Sequence, residues 1–514
     1  MMNSLPILNH QTIPLREIPV LAYDDLLEMN TRLLESADRH CVNYYGFPWR
    51  NGIKLLCCIA DDNDHSIHLS SAEIRQGVDP LPSFTARHLA FQAFERELAE
   101  NFGLTYSDHP WLKPLRYAFH RKDQNNQIAN YPFYRIDSEE LHEVGVGPIH
   151  AGIIEPGHFR FICNGEQILH LEIQLGYQHR GIEPLLLSKK TLLQRTTLAE
   201  SIAGDTAVGH SLRLTNAWES PCGFNPPQDL LFARTLALEL ERIAIHTGDL
   251  SAICTDIAYQ LGSAVFGRLR TPLINFMQEW CGNRLAKGLI RAGRNDHPFT
   301  NSLAQRLNQL LAAYEPGLNE MYDEMKTLPT VLARLEKTGV VTREQAASIG
   351  AVGMAARTSG IPRDIRQSHP FGLFRGMDHQ PIIKHHGDVY SRTQLRKEEI
   401  AQSACYIRGW IKEILELPAG AVDSGSASAG VSERVAALGR PAANAFVLSL
   451  VEGWRGEICH SAVTDDDGEL LHYKVKDPSF HNWLAVALAV RNNEISDFPV
   501  CNKSFNLSYC GHDL

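Results

Sequence analysis

Residues 147–183 read GPIHAGIIEPGHFRFICNGEQILHLEIQLGYQHRGIE. The first third is punctuated by Gly and Pro, as a loop is. From Arg160 to Gly176 apolar and polar residues alternate on either side of Asn164-Gly165, the pattern of a β-hairpin closed by a tight turn. Downstream, from about Leu185 to Gln345, the period changes. TLALELERIAIHTGDLSAICTDIAYQLG (235–262) and FTNSLAQRLNQLLAAYEPGLNEMYDEM (299–325) repeat apolar residues every three or four positions, which predicts long helices. ELLHYKVKDPSF reads as a strand entering a turn, NWLAVALAV as a short buried helix, and AGAVDSGSASAG (419–430) as a small-residue loop. Upstream, LLCCIA (55–60), DDND and SIHLSS predict strand, turn and strand, and HLAFQAFERELAENFG predicts a helix stopping at Gly103.

The 514 residues carry 59 acidic and 49 basic side chains, a formal charge of -10. That balance and 44% hydrophobic content describe an ordinary globular chain with no general nucleic-acid surface. No apolar run approaches a bilayer span, and the first twenty residues lack the layout of a secretion signal. The eleven cysteines include no C-x-x-C pair, which disfavours a disulfide framework, a self-contained zinc site or an iron–sulfur site. A reducing cytoplasmic location is expected. Nucleotide-binding glycine motifs are absent, so NAD or ATP binding by this chain is not expected.

Several blocks in order carry a resemblance: Gly147–Glu183, ARTSGIPRDIRQSHPFG (356–372), GDVYSRTQLRKEEIAQS (387–403), EGWRGE (452–457), VKDPSFHNWLA and the terminal DFPVCNKSFNLSYCGHDL. Together they resemble the large subunit of group 4, membrane-bound [NiFe] hydrogenases and, more distantly, the 49-kDa-type subunit of respiratory complex I. FERELAENFGLTYSDHPWLKPLR resembles the 30-kDa-type subunit of complex I, fused in front. The resemblance implies an α+β fold. A 30-kDa-like domain over 1–120 and a linker over 121–139 would precede a helix-rich hydrogenase-like domain with peripheral hairpins over 140–514.

In that family two C-x-x-C pairs hold nickel and iron, because soft thiolates suit that centre. Here the corresponding positions fall on Ala203 and Thr206 in ESIAGDTAVGHS and on Ser508 and Gly511 in FNLSYCGHDL. Cys510 stands one residue out of register. The resemblance therefore implies no Ni–Fe centre and no cofactor held by this chain. It does imply an iron–sulfur cluster in a small 20-kDa-type partner, a ferredoxin-like partner, antiporter-like membrane partners, and a quinone as one acceptor. The chain would sit peripherally on the cytoplasmic face of the inner membrane through those partners.

Complex I uses a loop His and a helix Tyr for its quinone. This chain keeps His150 in the loop, with His158 beyond it, and has Gly204 near the Tyr position. His150, His158, Glu155 and Asp205 are the candidates for proton or acceptor contacts in the cavity, since imidazole and buried carboxyls titrate usefully. His179, Arg180 and Glu183 in HRGIE would face the partner's cluster, whose reduced form a guanidinium stabilises. Arg357, Arg363, Asp364 and Arg366 look like a charge cluster lining the same region, although a bare sequence would assign three Arg and one Asp around a turn to a solvated loop. Trp111, Trp454 and Phe159 are candidates for a partner face. Three functions remain open: an electron-passing subunit of an energy-converting complex, a true [NiFe] hydrogenase of formate hydrogenlyase type, and a non-catalytic scaffold.

Overall fold

The computed structural model describes residues 4–514 apart from 76, 78, 79, 151–153 and 417–437. The small-residue loop 419–430 lies outside the described residues. Near the N-terminus, strands Arg39–Trp49, Gly52–Asp61 and Ser66–Arg75 form an antiparallel meander. LLCCIA reads as an unbroken apolar run because both its faces are buried. Leu55, Cys57 and Ile59 pack with Phe94 and Leu98 of helix Gln92–Phe102, while Leu56, Cys58 and Ala60 join the core of the rest of the chain. That helix follows a 3-10 turn, Leu89–Phe91, and ends as predicted at Gly103, whose φ of 72° a left-handed cap requires.

The N-terminal part is stitched to the larger one. Strand Thr12–Pro14 pairs with Ala445–Glu452, Arg116 Nε donates to the carbonyl of His512 at 2.6 Å, and Lys474 Nζ meets Glu97 at 2.5 Å. Residues 121–139 run along the surface with one short 3-10 turn, Ile128–Asn130.

The hairpin forms as predicted, His158–Asn164 against Gln167–Gln174, with His142–Val146 added as a third strand. The segment 235–262 is not one helix. Gln228–Asp256 ends where Ala258 turns to φ 59°, and Gln260–Cys281 folds back against it. Helices Asn301–Met325 and Val389–Glu416 complete this helical layer. A second sheet, Ala445–Glu452, Glu457–Thr464 and Leu470–Lys476, carries helix Ala207–Glu219 on one face. Ser479–Ala489 packs on the hairpin strand Gln167–Gln174, and the terminal turn Tyr509–Asp513 packs on that helix. Trp454 and Phe159 are buried core residues, which removes them from any partner face, and Trp111 is half-buried. Among the described residues, no helix is long and apolar enough to cross a membrane.

Candidate functional site

The turn before helix Ala207–Glu219 and the C-terminal turn come together, as the resemblance requires. Arg180 clasps them: its guanidinium donates to the carbonyls of Ser201 and Ile202, at 2.6 and 2.8 Å, and to that of Cys510 at 3.3 Å. Gly181 supplies the left-handed φ of 69° that starts the next helix, Ile182–Ser188, and the backbone N–H groups of Arg180 and Gly181 bind the carbonyl of Leu514. His179 Nδ1 meets the carbonyl of Asp513 at 2.8 Å, and Glu183 accepts from the backbone of Val475 and from Lys474. All three half-buried residues line an open, largely apolar groove of about 700 Å³, with Phe119 and Leu185 exposed in its wall.

Between these two turns, Asp205 takes a bidentate grip from Arg455, at 2.7 and 2.6 Å. Arg455 Nε donates to the carbonyl of Asn506 at 2.5 Å, and its guanidinium lies 3.9 Å from the Trp454 ring centre. Thr206 Oγ1 accepts from the same arginine at 3.0 Å. Glu155 accepts the backbone N–H groups of Tyr509 and Cys510 at 3.3 and 3.4 Å, so it caps the terminal turn from the hairpin loop. His150 and His158 instead hold that loop: His150 Nε2 meets the carbonyl of Gly157 at 2.9 Å, and His158 Nδ1 that of Gly147 at 3.1 Å. The His158 ring packs against Phe133. Of the four cavity candidates, Asp205 thus pairs with Arg455, Glu155 caps the terminal turn, and both histidines hold their own loop.

The donor set does not fit a [NiFe] centre. Ala203 and Gly511 offer no ligand atom, and the hydroxyls of Thr206 and Ser508 are hard donors engaged with Arg455 and the N–H of Gly511. A Cβ on Gly511 would lie 2.8 Å from the carboxyl of Asp477 and 2.9 Å from Ser508 Oγ, so the space a fourth thiolate needs is filled. The Cys510 thiol is pushed by burial up to about 12 and stays protonated. Among the described residues, no three His, Cys, Asp or Glu side chains are arranged to hold a metal ion.

Other polar groups crowd the pocket from behind. Glu241 accepts from the N–H groups of Val208 and Gly209 at the start of helix Ala207–Glu219. Burial, reinforced by Asp205, nonetheless pushes its carboxyl up to about 8. Burial would raise Asp477 too, but His210, 3.1 Å away, and Arg455 hold it down at about 2. Deeper still, Arg357 contacts Glu452 and Glu399 at 2.6 Å each and Asp364 at 3.4 Å. Arg366, Arg242, Glu239 and His246 complete this fully buried cluster. Arg357, Asp364 and Arg366 therefore lie in the core rather than in a solvated loop, and Arg363 is buried beside them, its Nη1 donating to the carbonyl of Ala351. Burial and Asp364 push Glu452 up to about 7. Sequence reasoning missed Glu241, Asp477, His460 and Glu452 as site residues. A carboxylate in KDPSF immediately after a strand, and Glu452 three residues before the retained Arg455, were the only signals available.

Comparison with known proteins agrees with this architecture. Residues 259–513 match the family described as respiratory-chain NADH dehydrogenase, 49 Kd subunit. Hydrogenase-4 component G of Escherichia coli (strain K12) is 25% identical over 447 residues, covering 84% of this chain and 75% of that protein. Formate hydrogenlyase subunit 5 of the same organism is 26% identical, over 85% of this chain and 77% of its own length. The NADH-quinone oxidoreductase C/D subunit of Phocaeicola vulgatus is 26% identical, over 72% of this chain and 78% of its own. Residues 259–513 thus carry a 49-kDa-type domain, and the chain as a whole is similar both to complex I C/D subunits and to group 4 hydrogenase large subunits.

Proposed function

We propose that the chain is the hydrogenase-like subunit of a membrane-associated, energy-converting oxidoreductase complex and that it works without a Ni–Fe centre. It receives electrons from an iron–sulfur partner docked on the groove at His179, Arg180 and Glu183 and passes them toward a quinone or another acceptor. Membrane partners of the antiporter type couple that transfer to ion movement, and the chain sits on the cytoplasmic face of the inner membrane through them. The observation that carries this reading is the Asp205–Arg455 pair, together with Asp477 beside Gly511. Asp477 fills the space beside the Gly511 position and Arg455 engages the hydroxyl at the Thr206 position, while Arg180 still clasps the two turns.

In this picture Arg455 holds Asp205 with its side chain 34% exposed, within reach of an arriving acceptor. Glu155, fixed on the terminal turn, offers a second carboxylate from the hairpin side. The test is to purify the tagged full-length chain with its co-purifying subunits and assay oxidation of a low-potential donor against a soluble quinone and a viologen. Acceptor-dependent turnover without hydrogen uptake or evolution supports the proposal, and hydrogen turnover by the complex refutes it.

A further inference from the structure

Four buried polar side chains, from three separate stretches of sequence, form one unbroken line. Asp477 lies against Gly511, one of the positions without a thiolate, and its Oδ2 meets His210 Nε2 at 3.1 Å. His210 Nδ1 faces His460 Nε2 at 3.1 Å, and His460 Nδ1 meets the Tyr473 hydroxyl at 2.8 Å. Tyr473 belongs to the wall of the groove on which the iron–sulfur partner is proposed to dock, so the line starts at that interface. All four are buried, and every ring nitrogen in the line has one partner. Helix Ala207–Glu219, lying across the sheet, places His210 opposite His460.

We propose that Tyr473, His460, His210 and Asp477 form a proton relay that carries a proton from the groove side to the pocket. The inference rests on the reading that the pocket delivers electrons to an acceptor, which must then be protonated. In the resting line the Tyr473 hydroxyl donates to His460 Nδ1, His460 Nε2–H to His210 Nδ1, and His210 Nε2–H to the Asp477 carboxylate. A proton entering at the Tyr473 oxygen displaces the hydroxyl proton onto His460 Nδ1, while the Nε2 proton of His460 passes to His210 Nδ1. One proton has been taken up, and it rests as the His210 imidazolium against the Asp477 carboxylate. Passing the Nε2 proton of His210 to Asp477 puts it at the pocket, and no electron moves in any of these steps.

The surroundings suit such a line. Asp477 Oδ1 is anchored by the N–H of Ser479 at 2.8 Å, and Arg455 acts on the same carboxylate from the pocket side. At the other end the buried guanidinium of Arg213 acts on His460 and Tyr473, Arg195 acts on Tyr473, and the thiol of Cys459 adjoins it. Nε and Nη2 of Arg213 have no hydrogen-bond partner, while its Nη1 is held by His10, Ser449 and the carbonyl of Leu450. Burial, the neighbouring His210 and the Arg213 charge all favour a neutral His460, and the Asp477 carboxylate faces His210 Nε2 at the other end of the line.

The relay predicts a signature that a static histidine pair lacks. In the full-length chain labelled with ¹⁵N-histidine, the step of an acid titration that brings a proton onto His210 Nδ1 must be the same step that moves the His460 proton from Nε2 to Nδ1. If His460 keeps one tautomer while His210 gains charge, or if neither ring changes, the relay is wrong. In the assembled complex, Y473F is expected to slow acceptor-dependent turnover on the order of a hundredfold with the acceptor KM unchanged. Wild-type turnover by Y473F would also overturn it. A wild-type complex that reduces no acceptor would count against the electron-transfer reading and leave the ring chemistry standing.

Discussion

The closed ligand position at Gly511 makes a quantitative prediction. In Gly511→Cys the new Cβ meets the Asp477 carboxyl at 2.8 Å and Ser508 Oγ at 2.9 Å, closer than such atoms normally approach. Asp477 cannot swing aside freely, because His210 Nε2 and the Ser479 N–H hold its two oxygens. Overpacking of this kind costs about 1–3 kcal/mol. Asp477→Ala removes two bonds to a charged acceptor and leaves a buried imidazole unpaired, a loss of about 3 kcal/mol. The same substitution also makes room for the cysteine. The double variant should therefore be less destabilised than the sum of the singles, by about 1–3 kcal/mol. Equilibrium urea unfolding of the full chain, followed by tryptophan fluorescence, measures all four corners of the cycle. Additivity within about 0.5 kcal/mol would show that Asp477 does not fill the thiolate position.

Other substitutions probe the shell. Glu241, with its carboxyl raised to about 8, binds a proton in the folded chain that the unfolded chain releases near pH 4.5. Stability should accordingly fall as pH rises from about 4.5 to 8, by up to about 1.4 kcal/mol per pH unit, and Glu241→Gln should flatten that slope in urea titrations. Arg357→Met strands Glu399, Glu452 and Asp364 without their shared cation and should cost about 3–5 kcal/mol, read as a lower urea midpoint. Arg180→Ala releases the carbonyls of Ser201, Ile202 and Cys510 and should cost about 1–3 kcal/mol. Size-exclusion chromatography of that variant should also show loss of the iron–sulfur partner.

Much of this molecule is visible in its sequence, and the hidden part has a common cause. The hairpin at Asn164-Gly165, the helix stopping at Gly103 and the four missing thiolates are local facts, fixed by period, turn chemistry or spacing. The helix break at Ala258 is local too, but an alanine with positive φ carries no sequence signal. The remaining features depend on chain segments brought together from far apart. Arg357 and Arg366 look solvated until Glu239 and Glu399 arrive from two other helices. His210 and His460 are 250 residues apart and meet only because a helix crosses a sheet. Asp205 was visible as a new carboxylate in its block, yet its role depends on Arg455, also 250 residues away. His150 and His158, attractive as loop histidines, turn out to bond the carbonyls of their own loop.

Elemental analysis of the complex purified through this chain bears most directly on the account. Iron from the partner's clusters with nickel far below one atom per chain is the predicted result. One nickel per chain that remains bound when the complex is dissociated would contradict it.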